Sequence, residues 1–253
     1  MTEPLPQSQP PQQPPFPPRP AAPMFNLPSV IVTLSAILIG IHVLRQFISQ
    51  DADFELILQF AFWPLRYADV PLAAELPHGG ADVWSFVTYA FLHGGWEHLI
   101  FNLAWMVAFG SAIAQRFDSF SFVVFFVACA VGGALLHLAL HPGQDIPVIG
   151  ASAAVSGLTA GALMFVFQRG GPLAGGRRTD PAAYLVRAMS VRELLSNAQV
   201  RLFFLLWMGI NLVFGLWSGP IFGSSIAWEA HVGGFVTGLV AFPLMDPVRR
   251  RRA

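Results

Sequence analysis

Apolar residues gather in six long runs along this chain, and polar residues fill the intervals between them. The runs cover residues 29–47 (SVIVTLSAILIGIHVLRQF), 98–115 (HLIFNLAWMVAFGSAIAQ), 119–140, 149–168 (IGASAAVSGLTAGALMFVFQ), 200–218 (VRLFFLLWMGINLVFGLWS) and 227–246 (AWEAHVGGFVTGLVAFPLMD). A helix needs about 20 predominantly apolar residues to cross a bilayer, within a range of roughly 17–25. The runs meet that length and are too long and uninterrupted for strands. Hydrocarbon offers no water to satisfy backbone groups, so a spanning segment must close its own hydrogen bonds. The pattern predicts an all-α, polytopic membrane protein, a six-transmembrane-helix bundle over residues 28–247.

What flanks the bundle is of a different kind. Residues 1–27 contain MTEPLPQSQPPQQPPFPPRPAAPM. Proline breaks helices and lacks a ladder donor, so this stretch is expected to be a disordered or polyproline-II tail, either passive or a ligand for a proline-reading partner. Residues 248–253 form a short basic tail. No basic stretch followed by an apolar one marks a cleavable leader.

Composition agrees with the bilayer as solvent. Of 253 residues, 55% are apolar and 11% charged, against about 25% charged in a soluble domain; mean hydropathy is +0.58. The formal net charge is zero, which gives no footing for a nucleic-acid partner. The single cysteine, Cys129, excludes an intramolecular disulfide and a multi-thiolate metal site; within an apolar run it reads as a small buried residue.

Arginine placement orients the bundle. With six crossings, Arg19, Arg116, Arg169, Arg177, Arg178, Arg187, Arg192, Arg201 and Arg249 to Arg252 share one side, and Arg45 and Arg66 take the other, 12 against 2. By the positive-inside rule the termini are cytoplasmic. The loop at 48–97 is then external and acidic, expected to pack on the membrane surface rather than to form a separate domain, and the loop at 169–199 is cytoplasmic. The absence of an organelle presequence points to a bacterial inner membrane.

Intramembrane polar residues are functional suspects by default. His98, Asn102, Ser152 and His231 come from three different runs, yet the topology puts all four near the external ends of their helices. Ser152 stands at the start of a helix, where free N–H groups and a positive dipole end suit a developing oxyanion; alone, it equally suits a packing role among Gly150, Ala151, Ala153, Ala154, Ser156 and Gly157. His231 is the type of residue that serves as general base near neutral pH. Gly234 and Gly238 follow it on one helical face, and Ala153, Gly157 and Gly161 form a matching stripe. Two helices packed through such stripes approach closely, which would bring the Ser152 hydroxyl to a base able to activate it. His98 and Asn102, four apart, share a face; both can donate to negative charge or act as interhelical glue. Zinc at His93, His98 and His231 is disfavoured, because the local string HGGWEH lacks the HEXXH pattern. His42, His78, His137 and His141 sit at helix ends or in loops and receive no chemical role.

These landmarks resemble the rhomboid family of intramembrane serine proteases. Trp84 and His93 precede an HxxxN element at His98–Asn102; Gly150-Ala151-Ser152 is similar to the family's GxS element, and Ala230-His231 through Gly234 and Gly238 to its AHxxGxxxG element. The resemblance covers roughly residues 28–246. It implies a Ser152–His231 dyad, an oxyanion hole of His98, Asn102 and the Ser152 N–H, and a water-filled cavity open to the outside. It also implies a membrane-embedded loop between the first two spans, a gating fifth span, no cofactor and no metal, and transmembrane proteins as substrates taken from the surrounding lipid. The chain departs from the family pattern at Ala153 (usually Gly), Ser156 (often aromatic), Ser85 (often Arg) and Gln115 (often acidic). The alternative function is a catalytically inactive rhomboid-like factor that binds membrane proteins, though such relatives typically lose the serine or the histidine. A transporter or channel would place polar groups along a midplane path, which the one-sided cluster does not.

Overall fold

The computed structural model describes residues 27–222 and 227–250. The proline-rich tail, save Leu27, and the end of the basic tail, 251–253, lie outside the described residues. Among the described residues the only extended pairing is an isolated bridge between Phe62 and Val148; the rest of the regular structure is helical. Each of the six apolar runs contains a helix: α1 (Ser29–Arg45), α4 (Trp96–Trp105) continuing into α5 (Ser111–Ala114), α6 (Ser119–Leu140), α7 (Ser152–Val166), α9 (Ala198–Phe222) and α10 (Trp228–Met245), with a short α8 (Val191–Ser196) in the 169–199 loop. A π-turn at Met106–Gly110 joins α4 to α5.

Two of these helical stretches, Trp96–Ala114 and Ser119–Leu140, are long and apolar enough to cross a membrane; Ser29–Arg45, Ser152–Val166 and Ala198–Val213 are apolar but shorter. Two boundaries depart most from expectation: α9 runs to Phe222, four residues past 218, and α7 starts at Ser152 rather than 149. Ile149, Gly150 and Ala151 are apolar but non-helical, because Gly150 takes φ +115°, open chiefly to glycine.

The bundle is built around α7. Every residue from Ala153 to Val166 is buried, and α6 and α10 pack most extensively against it and each other. Large apolar side chains cover the outside instead: Phe120, Leu202, Leu205, Leu206, Val240 and Leu244 are all well exposed. In water such a surface would be an aggregation liability; in hydrocarbon it costs nothing.

The 48–97 segment is ordered as helices that pack onto the bundle. It holds α2 (Gln50–Phe60), two 3-10 turns (Pro64–Tyr67 and Pro71–Glu75), α3 (Ala81–Thr88) and a further turn at Tyr89–Phe91. Arg45 ties it to α1 by paired bonds to Asp53, 2.6 and 2.9 Å, and by one to the His93 carbonyl, 2.7 Å. Arg66 donates to the Ala81 and Leu58 carbonyls. The buried Tyr89 hydroxyl donates to the Ala130 carbonyl of α6 at 2.8 Å. Ser85, fully buried, has its hydroxyl 3.2 Å from that of Tyr67. These contacts hold a loop that hydropathy alone left without structure.

At the other end, Arg116 follows α5 and meets Asp246 at the end of α10 in a buried bidentate pair, both bonds 2.8 Å. Its remaining nitrogen donates to the Tyr184 and Val186 carbonyls, and its plane lies 4.7 Å from the Phe165 ring centre. Removing one member leaves the other charge buried and unpaired, at a typical cost of about 3–5 kcal/mol. Arg116→Ala is expected to lower stability by that order in detergent unfolding, with Arg116→Ala/Asp246→Ala costing less than the two single substitutions summed. A loss within the error of wild type would show that the pair does not hold these ends together.

Candidate active site

Close backbone contact among α6, α7 and α10 sets the site. A Cβ on Gly234 would strike the Ala153 carbonyl, and one on Gly238 would strike the Gly157 backbone. One on Gly157 would meet the Gly234 carbonyl at 2.8 Å and the Cys129 side chain. From α6, a Cβ on Gly133 would come within 2.5 Å of the Ala153 Cβ and 2.7 Å of the Ala230 carbonyl. Gly161 is roomier, its would-be Cβ 3.0–3.2 Å from Phe242, Ile113 and Phe125. The stripes read from the sequence thus face one another, with Gly132 and Gly133 of α6 as an additional partner.

That contact aligns the first turn of α7 with the first turn of α10. His231 Nε2 lies 2.8 Å from Ser152 Oγ. His231 Nδ1 lies 2.5 Å from Asn211 Oδ1 of α9, while Asn211 Nδ2 donates to the Trp207 carbonyl at 2.7 Å. With the amide nitrogen committed to a carbonyl, Oδ1 faces the ring as an acceptor. The ring nitrogen beside it carries the proton, and the Nε2 lone pair is left for the serine hydroxyl. Trp207 stacks on Phe235, with centroids 4.6 Å apart, and so clamps α9 to α10 one turn beyond His231.

Ser156 turns its hydroxyl to the Ser152 carbonyl at 2.7 Å; Asn211, not residue 156, contacts the imidazole. Asn211 escaped the sequence reading. Its signal was available, as an amide within the apolar run 200–218, and intramembrane polar groups merit the same suspicion wherever they fall.

The approach to Ser152 is built by the turn before α7. The Gly150 N–H donates to the Tyr89 carbonyl at 2.9 Å, and the Ala151 N–H points at His93 Nε2 at 3.5 Å. The His98 ring presses on Gly150 so closely that a Cβ there would sit 2.6 Å from His98 Nε2. Gly150 therefore serves the turn and the histidine contact, whereas Gly157, Gly234 and Gly238 serve helix packing. Asn102 is buried, and its Nδ2 donates to the His98 carbonyl at 2.8 Å. His93 and His98 meet edge to face, with centroids 5.1 Å apart. Ser152, His231, Asn211 and His98 thus converge from α7, α10, α9 and α4.

Fold and site together define a class: all-α bundles with an apolar exterior and a serine–histidine contact among their central helices. A family profile described as "Rhomboid domain" matches residues 80–176 and 181–246, and the chain belongs to the rhomboid family. It is accordingly a multi-pass integral membrane protein. Relatives named Rhomboid protease GlpG include one from Enterobacter sp. (strain 638), 28% identical over 72% of this chain and 56% of its own length. One from Klebsiella pneumoniae is 28% identical over 68% of this chain and 51% of its own length. One from Haemophilus influenzae is 25% identical over 63% of this chain and 68% of its own length. The chain spans about half the length of the first two.

Gly150 is held by two separate constraints, its positive φ and the His98 ring. Strain of this kind costs about 1–3 kcal/mol. Gly150→Ala is expected to lower the melting temperature and to shift the His98 imidazole resonances in NMR of the detergent-solubilised protein. Unchanged resonances and melting would mean that the turn tolerates a side chain.

Proposed function

We propose that this protein is an intramembrane serine endopeptidase acting on transmembrane protein substrates. The observation that carries the proposal is the 2.8 Å approach of His231 Nε2 to Ser152 Oγ, with Asn211 on the opposite ring nitrogen. In this mechanism Ser152 Oγ attacks the scissile carbonyl carbon as His231 Nε2 takes the hydroxyl proton. The imidazolium returns that proton to the leaving amine. Water then enters, loses a proton to His231 and cleaves the acyl-enzyme, restoring Ser152. Asn211 is a positioning residue: it holds the tautomer and ring plane without touching substrate. His98, Asn102 and the Ser152 N–H at the start of α7 are the donors for the oxyanion.

The proposed topology has six crossings, with both termini cytoplasmic and the site opening to the external side of a bacterial inner membrane. The segregation of arginines supports it, as does the clustering of His93, His98, Ser152 and His231 beside the 48–97 loop. A substrate helix must unwind locally before its amide can reach a serine, so helix-weakening residues near the cut are expected.

A serine-reactive fluorophosphonate should label the wild-type protein, and neither Ser152→Ala nor His231→Ala should be labelled or cleave a model transmembrane substrate. Absent labelling of the folded wild type, or cleavage by either variant, would overturn the dyad; the first result would favour an inactive membrane-protein-binding relative. Asn211→Ala removes the imidazole's buried partner along with the bond to Trp207; losing the imidazole bond, about 1–3 kcal/mol, should lower kcat roughly 5- to 160-fold with KM little changed, and Asn211→Asp should restore part of the rate. Asn102→Ala should lower kcat by about 10²–10³; a defect confined to KM would argue against an oxyanion role.

A further inference from the structure

A second cluster of chemistry-bearing side chains lies on the other face of α10. His137 and His141 stand one turn apart at the end of α6, and Glu229 reaches them from the first turn of α10. His141 Nε2 is 3.0 Å from Glu229 Oε1, and His137 Nδ1 is 3.7 Å from Glu229 Oε2. One ligand atom from each of the three side chains falls within 4.8 Å of the others. They border a cavity of about 220 Å³, lined also by Gln144, Val148 and Trp228. We propose that His137, His141 and Glu229 form a binding site for a divalent transition-metal ion, zinc by preference, that links α6 to α10.

Hydrogen bonding alone leaves this cluster incomplete. A proton shared with Glu229 satisfies His141, but 3.7 Å is too long for a bond to His137. His137 Nδ1 and Gln144 Oε1 are both buried without a hydrogen-bond partner. Unpaired buried polar atoms are costly, and a cation would engage the free histidine lone pair while neutralising the carboxylate. Two imidazoles and one carboxylate are a donor set that suits zinc and leaves a fourth position for water or for Gln144. Imidazole donors select zinc, copper or nickel over magnesium and calcium. Metal–ligand bonds near 2.0–2.2 Å put tetrahedral ligand atoms roughly 3.3 Å apart, which side-chain rotation can reach from the present spacing. The cluster shares no side chain with the Ser152 machinery, and the site stands whether or not Ser152 is a nucleophile.

The test uses tag-free, chelator-stripped full-length protein in detergent, titrated with Co²⁺ and then Zn²⁺. The visible d–d bands of tetrahedral Co²⁺ should rise to a 1:1 end point and be displaced by Zn²⁺, and Zn²⁺ should raise the melting temperature by linkage. His141→Ala, whose side chain is 35% exposed, and the near-isosteric Glu229→Gln should each lose the bands and the thermal shift, while His98→Ala keeps both. Wild type without 1:1 bands would overturn the site. So would bands that survive His141→Ala and Glu229→Gln, or that vanish only with His98→Ala, since the metal would then sit elsewhere.

Discussion

Three backbones touching at the centre of the bundle set every distance that matters in this protein. Where α10 crosses α7, there is no room for even a methyl group at Gly234 or Gly238. Hydrogen bonds weaken steeply with distance and misalignment, and reactive constellations tolerate only about 0.5 Å of error. A side chain at either glycine would force the helices apart by more than that. Helix association in lipid lacks a hydrophobic drive, because lipid tails are as apolar as leucine. Close backbone packing supplies the attraction and also fixes the register between Ser152 and His231.

Polar clamps secure that packing at both ends. Arg45 pins the 48–97 loop to α1 through Asp53 and the His93 carbonyl, and His93 in turn faces the turn before Ser152. Arg116 and Asp246 join the far ends of α5 and α10. A buried ion pair adds little net stability over an apolar replacement, but its direction is strict. Here it fixes where α10 ends along its axis relative to α5. Gln115 is uncharged, and the neighbouring Arg116 carries the anchoring at that end.

The helices were legible in the sequence because hydropathy reports the solvent directly, and the facing stripes of Gly157, Gly234 and Gly238 were legible because helical periodicity places them. The start of α7 was not, since Ile149-Gly150-Ala151 is as apolar as the helix it precedes and only the backbone angle of Gly150 separates them. The helices of the 48–97 segment were hidden because they rest on long-range partners such as Tyr89 with Ala130. Asn211 was in plain view within an apolar run, but its role depends on which residue of α10 it faces. His137 and His141 share a helical face, but Glu229 lies 88 residues beyond His141, and no local pattern brings the carboxylate to the two rings.

The shortness of α7 has a geometric consequence. At about 1.5 Å per residue its 15 residues extend roughly 22 Å, less than the approximately 30 Å thickness of a hydrocarbon core. Lipid usually relieves such a shortfall by thinning around the helix, but α7 is sheathed by its neighbours along its length. On the proposed six-crossing topology, the deficit is taken up inside the protein rather than by lipid. One residue inserted ahead of Ser152 would change its height by only about 1.5 Å while turning it about 100° around the axis. Azimuth, far more than depth, is therefore the coordinate to which this hydroxyl is sensitive.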